Sequence, residues 1–298
     1  MIDFRLLAGP LRVPFLVLTP ACVFLGFSAA FWETDQINWL YLGLVCLGAI
    51  SAHISVNAFN EYFDFKSGLD AKTKATPFSG GSGVLPAHPN LAPYASRVAW
   101  GAFLMTATIG IFFLVVRGVL LLPLGVAGLV IIFTYTQWIT RYPLLCLVAP
   151  GLAFGPLMVM GTDFILTGHF SQTGFIVSLV PFFLVNNLLL LNQFPDVEAD
   201  FTVGRRTLPI VIGRRWAGVI YAILLILTFL SVWGGYYWGG LPAYCLLGLV
   251  PIGIAIPVII GILRHADNIE TLLRYMGLNV VITITTPVLM GVGLLMAG

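Results

Sequence analysis

Apolar stretches of about twenty residues, separated by short polar connections, recur along the whole chain and constrain its fold more than any other feature. A hydrocarbon layer of about 30 Å takes about 20 helical residues to cross, because each residue advances a helix by only about 1.5 Å. Nine stretches meet that requirement: 13–32, 38–60, 94–116, 118–138, 144–166, 173–194, 216–238, 241–263 and 277–297. Composition agrees, since 59% of the 298 residues are hydrophobic and 9% are charged, a balance that a water-soluble domain of this size does not need. The expected fold class is all-α: a polytopic membrane protein with nine transmembrane helices in one bundle around a central cavity, forming a single domain over 1–298.

The placement of charge predicts the orientation. Cytoplasmic connections near membrane ends collect Lys and Arg. With the amino terminus in the cytoplasm, every Lys and Arg except Arg117 falls on the cytoplasmic side. An odd number of spans then puts the carboxyl terminus outside. The first apolar stretch is too long for a signal-peptide core, so it reads as a retained span. A net charge of +2, with the basic residues tied to membrane borders, gives no nucleic-acid footprint. Cys22, Cys46, Cys146 and Cys245 lie far apart in apolar runs, without metal-ligand or disulfide spacing.

Two cytoplasmic connections, about 64–93 and 196–215, are longer and more polar than the rest. Long ordered loops in a compact bundle usually carry function. In the second, Asn192, Asp196 and Asp200 recur at four-residue spacing, which on a helix places them on one face. In the first, Asn57, Asn60, Glu61 and Asp64 form a similar stripe, and Gly68 allows a turn that returns Asp70 toward it. The two segments match in residue type, as expected of two related halves facing each other.

Carboxylates this close repel in a low-dielectric setting unless a cation lies among them. Asp and Asn oxygens are hard ligands suited to Mg²⁺, which completes its shell with water and phosphate oxygens. The expected metal set is therefore Asp64, Asp70, Asp196 and Asp200, with Asn60 and Asn192. Lys72, Lys74, Arg205 and Arg206 lie just beyond the acidic sets, where they can neutralise a diphosphate. Gly80, Gly81 and Gly83 can offer backbone N–H groups to the same anion. His53 and Asn57 share the stripe with Asp64, and Tyr135 is a polar group near membrane depth that can line a pocket; all three are candidate substrate-binding residues, with His53 placed to contact an acceptor. Each residue alone also fits a blander role, as a solvated cap, an Arg partner or a link between helices. A transporter or ion carrier would also use intramembrane Asp and Asn, although transport sites usually lie near the midplane between broken helices.

The stretches from Asn60-Glu61-Tyr62-Phe63-Asp64 to Asp70, and from Asn192 to Gly204-Arg205-Arg206-Thr207-Leu208, resemble the two Asp-rich motifs of the UbiA-type intramembrane prenyltransferase superfamily. Residues 76–81 and 155–162 look most like its dihydroxynaphthoate prenyltransferase branch, which serves menaquinone biosynthesis. The resemblance implies nine spans, Mg²⁺, a polyprenyl diphosphate donor and a small aromatic quinone precursor as acceptor, with membrane lipid as the further partner. It also implies a multi-pass protein of the cell membrane whose active site faces the cytoplasm. Two positions depart from the pattern: Glu61 stands where the family usually has Asp, and the base following Tyr135 is as distant as Arg141.

Overall fold

The computed structural model describes residues 4–74 and 76–298 and is helical, with no strand among the described residues. Among the described residues, eight helical segments are long and apolar enough to cross a membrane: Val13–Thr34, Trp39–Ser67, Pro89–Arg117, Pro143–Thr167, Gln172–Asn192, Leu208–Tyr237, Ala243–His265 and Ile269–Leu295. The stretch expected at 118–138 forms the shorter apolar helix Val119–Thr134, roughly 24 Å long at about 1.5 Å per residue. Its chain leaves the helix at Tyr135 and turns through Ile139–Arg141, which brings Tyr135 and Thr140 into the wall of a cavity.

Local chemistry sets the helix ends. Asn38 starts Trp39–Ser67 by accepting from the Tyr41 N–H at 3.1 Å, and Gly68, at φ 74°, stops it by entering the left-handed region. Ser171 caps Gln172–Asn192 through the Gly174 N–H at 2.7 Å. Asn268 caps Ile269–Leu295 through Thr271 at 3.1 Å, so the last helix begins well before its apolar stretch and carries Glu270 and Arg274 in its first turns. Leu208–Tyr237 also starts before its apolar stretch at 216, and bends at Gly213, whose φ of 81° is not helical.

Apolar side chains face outward as well as inward, as the bilayer permits. Val115, Leu144 and Leu40 are each about two-thirds exposed or more. Exposed Trp39, Tyr237 and Trp238 at some helix ends, with Trp138, Tyr142 and Trp216 at others, suit the two membrane–water interfaces. Inside, Leu18–Thr34, Gln172–Asn192, Leu208–Tyr237 and Ile269–Leu295 share the main core, with Leu25, Leu184, Tyr221 and Ile282 fully buried. Smaller clusters around Ile109 and Phe113, and around Phe59 and Ala99, hold Trp39–Ser67 against Ala92–Arg117. The segment Ala153–Met160 is a π-helix between Pro150 and Gly161, and Asn186 accepts from the Gly151 N–H at 2.6 Å. A Cβ at Gly155 would lie 2.5 Å from the Ser178 carbonyl oxygen, so this segment meets its neighbour nearly backbone to backbone.

Candidate active site

A cavity of about 560 Å³ lies in the seam between these clusters. All four motif aspartates line its polar end: Asp64, Asp70, Asp196 and Asp200. Asn57, Asn60, Asn192, His53, Tyr135 and Arg205 line it too. Two segments more than a hundred residues apart in sequence therefore converge on one space.

Each arrives by a different local device. Asp64 sits on the last turns of Trp39–Ser67; the Gly68 turn then sends the chain back, Leu69 is buried as an anchor, and Asp70 faces the cavity. In the second segment the helix ends at Asn192, turns through Pro195 and resumes as Val197–Thr202. The single face expected for Asn192, Asp196 and Asp200 is thus broken by a turn, yet all three still reach the cavity.

Arg205 joins the halves. Its guanidinium donates to Asp200 at 2.9 Å and also to Asp64, with only 14% of the side chain exposed. Burial works to depress its pKa, but the carboxylates of Asp64 and Asp200 outweigh that and hold the cation above its ordinary value. Among the described residues, Asp70 and Asp196 form no such ion pair. Burial, reinforced by neighbouring carboxylates, pushes each up to about 7, with Asp64 and Glu61 acting on Asp70, and Asp200 acting on Asp196. Burial raises Asp200 as well, against the pull of Arg205.

One oxygen of each of these two carboxylates, Oδ2 of Asp70 and Oδ1 of Asp196, is buried and accepts no hydrogen bond among the described residues. Buried anionic oxygens left open in a polar recess fit a hard divalent cation such as Mg²⁺. Among the described residues no three Asp, Glu, His or Cys side chains gather into a ready-made metal cluster. Such an ion would therefore complete its shell with water and phosphate oxygens.

The other polar residues have defined partners. Asn60 donates to Thr136 Oγ1 at 3.2 Å, and Asn57 donates to the Leu11 carbonyl at 3.1 Å. The His53 Nδ1 lies 2.8 Å from Thr19 Oγ1, with its ring edge-on to Phe154. Tyr135 faces Cys146, whose sulfur also accepts from Gln193 at 3.4 Å. Lys72, Lys74 and Arg206 are exposed and do not line the cavity. Lys72 reaches Thr202 at 3.3 Å, and Arg206 uses its backbone N–H on the Thr140 carbonyl. Glu198 points to solvent and pairs with Arg214 through both oxygens at 2.8 Å. Arg141 is exposed.

A basic residue that the motif spacing does not reveal is Arg12. It lines the cavity from the amino-terminal side, and its charge acts on Asp70 and Asp196. The only local signal for it is the preceding Pro10 and following Pro14, which flag an irregular start to the first span.

From the aspartates the cavity continues as an apolar arm past Ala52, Ala49 and Gly48 to Val45. Counted along the helix from Asp64, this is roughly 28 Å at about 1.5 Å per residue. Ile111, Leu122 and Val126 line the arm and are 61%, 43% and 50% exposed, so it is open along one side.

The UbiA prenyltransferase family model matches residues 18–281. A 1,4-dihydroxy-2-naphthoate octaprenyltransferase of Bacillus subtilis (strain 168) is 26% identical over 208 residues, which is 68% of this chain and 63% of that protein. A UbiA homolog from Aeropyrum pernix K1 shares the fold with a TM-score of 0.72 at 15% identity, covering 95% of this chain and 98% of that one. A UbiA homolog from Archaeoglobus fulgidus, solved bound to DMAPP and Mg²⁺, superposes with a TM-score of 0.58 at 14% identity over 95% and 98% of the two chains. With most of its length under the family model and its fold shared by these neighbours, this chain is a multi-pass membrane protein and belongs to the UbiA prenyltransferase family.

Proposed function

We propose that this protein transfers a polyprenyl group from a polyprenyl diphosphate to a small aromatic quinone precursor, of the dihydroxynaphthoate kind, with release of diphosphate. The observation that carries the reading is the joining of two recesses: four aspartates from distant segments line one polar end of a cavity whose other end is a long apolar arm. A donor with an anionic head and a hydrocarbon tail matches that division. The naphthoate acceptor is supported by the name of the Bacillus subtilis relative, and the metal by the Mg²⁺ bound to the Archaeoglobus fulgidus homolog.

In this reading Asp64, Asp70, Asp196 and Asp200, with Asn60 and Asn192, hold Mg²⁺, which supplies positive charge to a departing diphosphate. Arg205 and Arg12 add fixed positive charge on either side of the same space. The allylic C–O bond breaks with its electron pair leaving on the diphosphate. The prenyl carbon is left as an allylic cation, beside the aromatic acceptor held near Tyr135, Asn57 and His53. A ring carbon donates the pair that forms the new C–C bond, and the ring then loses a proton, or CO₂ where that carbon bears a carboxylate. The apolar walls keep out water that would otherwise capture the cation.

The same reading treats 1–298 as one domain, and counts Val119–Thr134 as a shortened ninth span. The amino terminus and the aspartates then lie on the cytoplasmic side of the cell membrane, with the carboxyl terminus outside. The position of the carboxylates at helix ends beside loops disfavours an ion carrier, whose sites lie near mid-membrane.

The test is release of diphosphate from geranylgeranyl diphosphate by purified protein in detergent, with 1,4-dihydroxy-2-naphthoate, with and without Mg²⁺. Prenylated product dependent on Mg²⁺, and lost in Asp64→Ala and Asp196→Ala, is the expected result. Full activity in either variant would refute the assignment.

A further inference from the structure

Glu61 occupies the motif position nearest the metal-binding candidates, yet its environment differs from theirs. The residue is fully buried, and both carboxylate oxygens are engaged. Oε1 accepts from Arg12 Nε at 2.7 Å and from the Ser82 backbone N–H at 2.8 Å. Oε2 accepts from the Ser82 hydroxyl at 2.8 Å. Asp70 and Asp196, by contrast, each leave a buried oxygen open.

These bonds tie together three separate pieces of chain. Arg12 lies in the amino-terminal strap and has a left-handed backbone at φ 49°, which a non-glycine residue adopts only when its surroundings hold it there. Ser82 closes the glycine loop, in which Gly80, Gly81 and Gly83 all have positive φ. Glu61 is the helical post between them. The loop passes so close to Asp70 that a Cβ on Gly81 would lie 3.0 Å from Asp70 Oδ1. Ser79, Gly80 and Gly81 line the aspartate cavity, and a second cavity of about 360 Å³ lies on the loop's other side, against the strap. The loop is thus a thin partition with one charged anchor.

We infer that Glu61 is a positioning residue, a latch that fixes the glycine loop and Arg12 over the anion end of the cavity, and that it does not ligate metal. This rests on the prenyl diphosphate reading of the cavity.

The test uses the full protein in detergent with Ser82→Ala, Glu61→Gln and the double variant. Ser82→Ala changes an exposed residue and keeps the latch question answerable should Glu61→Gln fold poorly. Hydrogen–deuterium exchange of residues 79–84 is measured without ligand. Binding of farnesyl thiodiphosphate, an unreactive donor analogue, is measured at saturating Mg²⁺, and the Mg²⁺ needed for half-maximal binding is measured separately. Loss of a hydrogen bond to a buried charge predicts about tenfold faster loop exchange and about tenfold weaker analogue binding in Ser82→Ala. Glu61→Gln should do the same or more, the double variant should be no worse than Glu61→Gln alone, and the Mg²⁺ requirement should stay within about twofold. An unchanged loop in both single variants, or a Mg²⁺ requirement raised about tenfold by Glu61→Gln alone, overturns the latch. If the unsubstituted protein does not bind the analogue at all, the donor reading of the cavity fails, while the ligand-free exchange still decides the latch.

Discussion

Asp64 and Arg205, 141 residues apart in sequence, are bonded side chain to side chain at the polar end of the cavity. Because Arg205 also holds Asp200, one guanidinium bridges the two acidic segments. Removing it would leave two buried carboxylates facing each other unpaired. Arg205→Ala should therefore destabilise the metal-free protein by about 3–5 kcal/mol and lower turnover by about 10²–10³-fold. Thermal unfolding in detergent, in EDTA and in Mg²⁺, measures the first effect, and part of the loss should be recovered by Mg²⁺.

Asp70 and Asp196 titrate near 7 because burial and neighbouring negative charge oppose their ionisation. A carboxyl raised above its ordinary 3.8 contributes stability that is complete below that value and is lost as pH rises through about 7. Metal-free protein should accordingly melt at a higher temperature at pH 5 than at pH 8. Protons and Mg²⁺ compete for the same oxygens, so apparent Mg²⁺ affinity should fall as pH drops from 8 to 6. Melting curves at both pH values, with EDTA and with MgCl₂, should slope in opposite directions.

Neutralising the two carboxylates that keep a buried oxygen open should separate stability from activity. Asp70→Asn or Asp196→Asn removes a charge that burial and neighbouring carboxylates oppose, and should raise the metal-free Tm by about 2–4 °C. The same change should abolish Mg²⁺-dependent turnover. A variant that loses both stability and activity would contradict the strained, open carboxylates described at these positions.

Basic residues should divide by location rather than by distance in sequence from the motifs. Arg12→Ala should weaken donor binding about tenfold or more, because its guanidinium lines the cavity. Lys72→Ala and Arg206→Ala remove exposed charges and should change KM by less than about threefold at physiological salt. Parallel kinetics on the three variants make the comparison.

The apolar arm is bounded partly by glycine. A Cβ at Gly125 would meet no atom within 4 Å, so a larger side chain there finds room at the cavity wall. Gly125→Phe should leave turnover of a short donor such as geranyl diphosphate nearly unchanged and depress that of long polyprenyl donors. A chain-length series read by mass spectrometry would show the cutoff.

The spans were legible because a bilayer demands a fixed apolar length, and eight of the expected stretches coincide with long helices. Boundaries moved where polar chemistry extends a helix beyond its apolar run, as Asn268 does for the last one. Helical spacing, being local, places Asn57, Asn60 and Asp64 on one helix, whereas the turn at Pro195 separates Asn192 from Asp196 and Asp200. Their meeting across the cavity rests on Arg205, and the place of Glu61 rests on Arg12 and Ser82. Such partners lie tens of residues away, where no periodicity connects them. Lys72, Lys74 and Arg206 looked equivalent to Arg205 by position alone. Only the path of the backbone after Gly204, with its φ of 80°, turns Arg205 inward and leaves Arg206 outside.

The exposed flank formed by Ile111, Leu122 and Val126 leaves the hydrocarbon arm continuous with the surrounding lipid. A molecule whose tail is already dissolved among acyl chains can slide in sideways without passing through water. Encounter then becomes a two-dimensional search, governed by how many donor molecules share each patch of bilayer. Diluting the donor with inert phospholipid should slow the enzyme even when the amount of donor per millilitre is held constant.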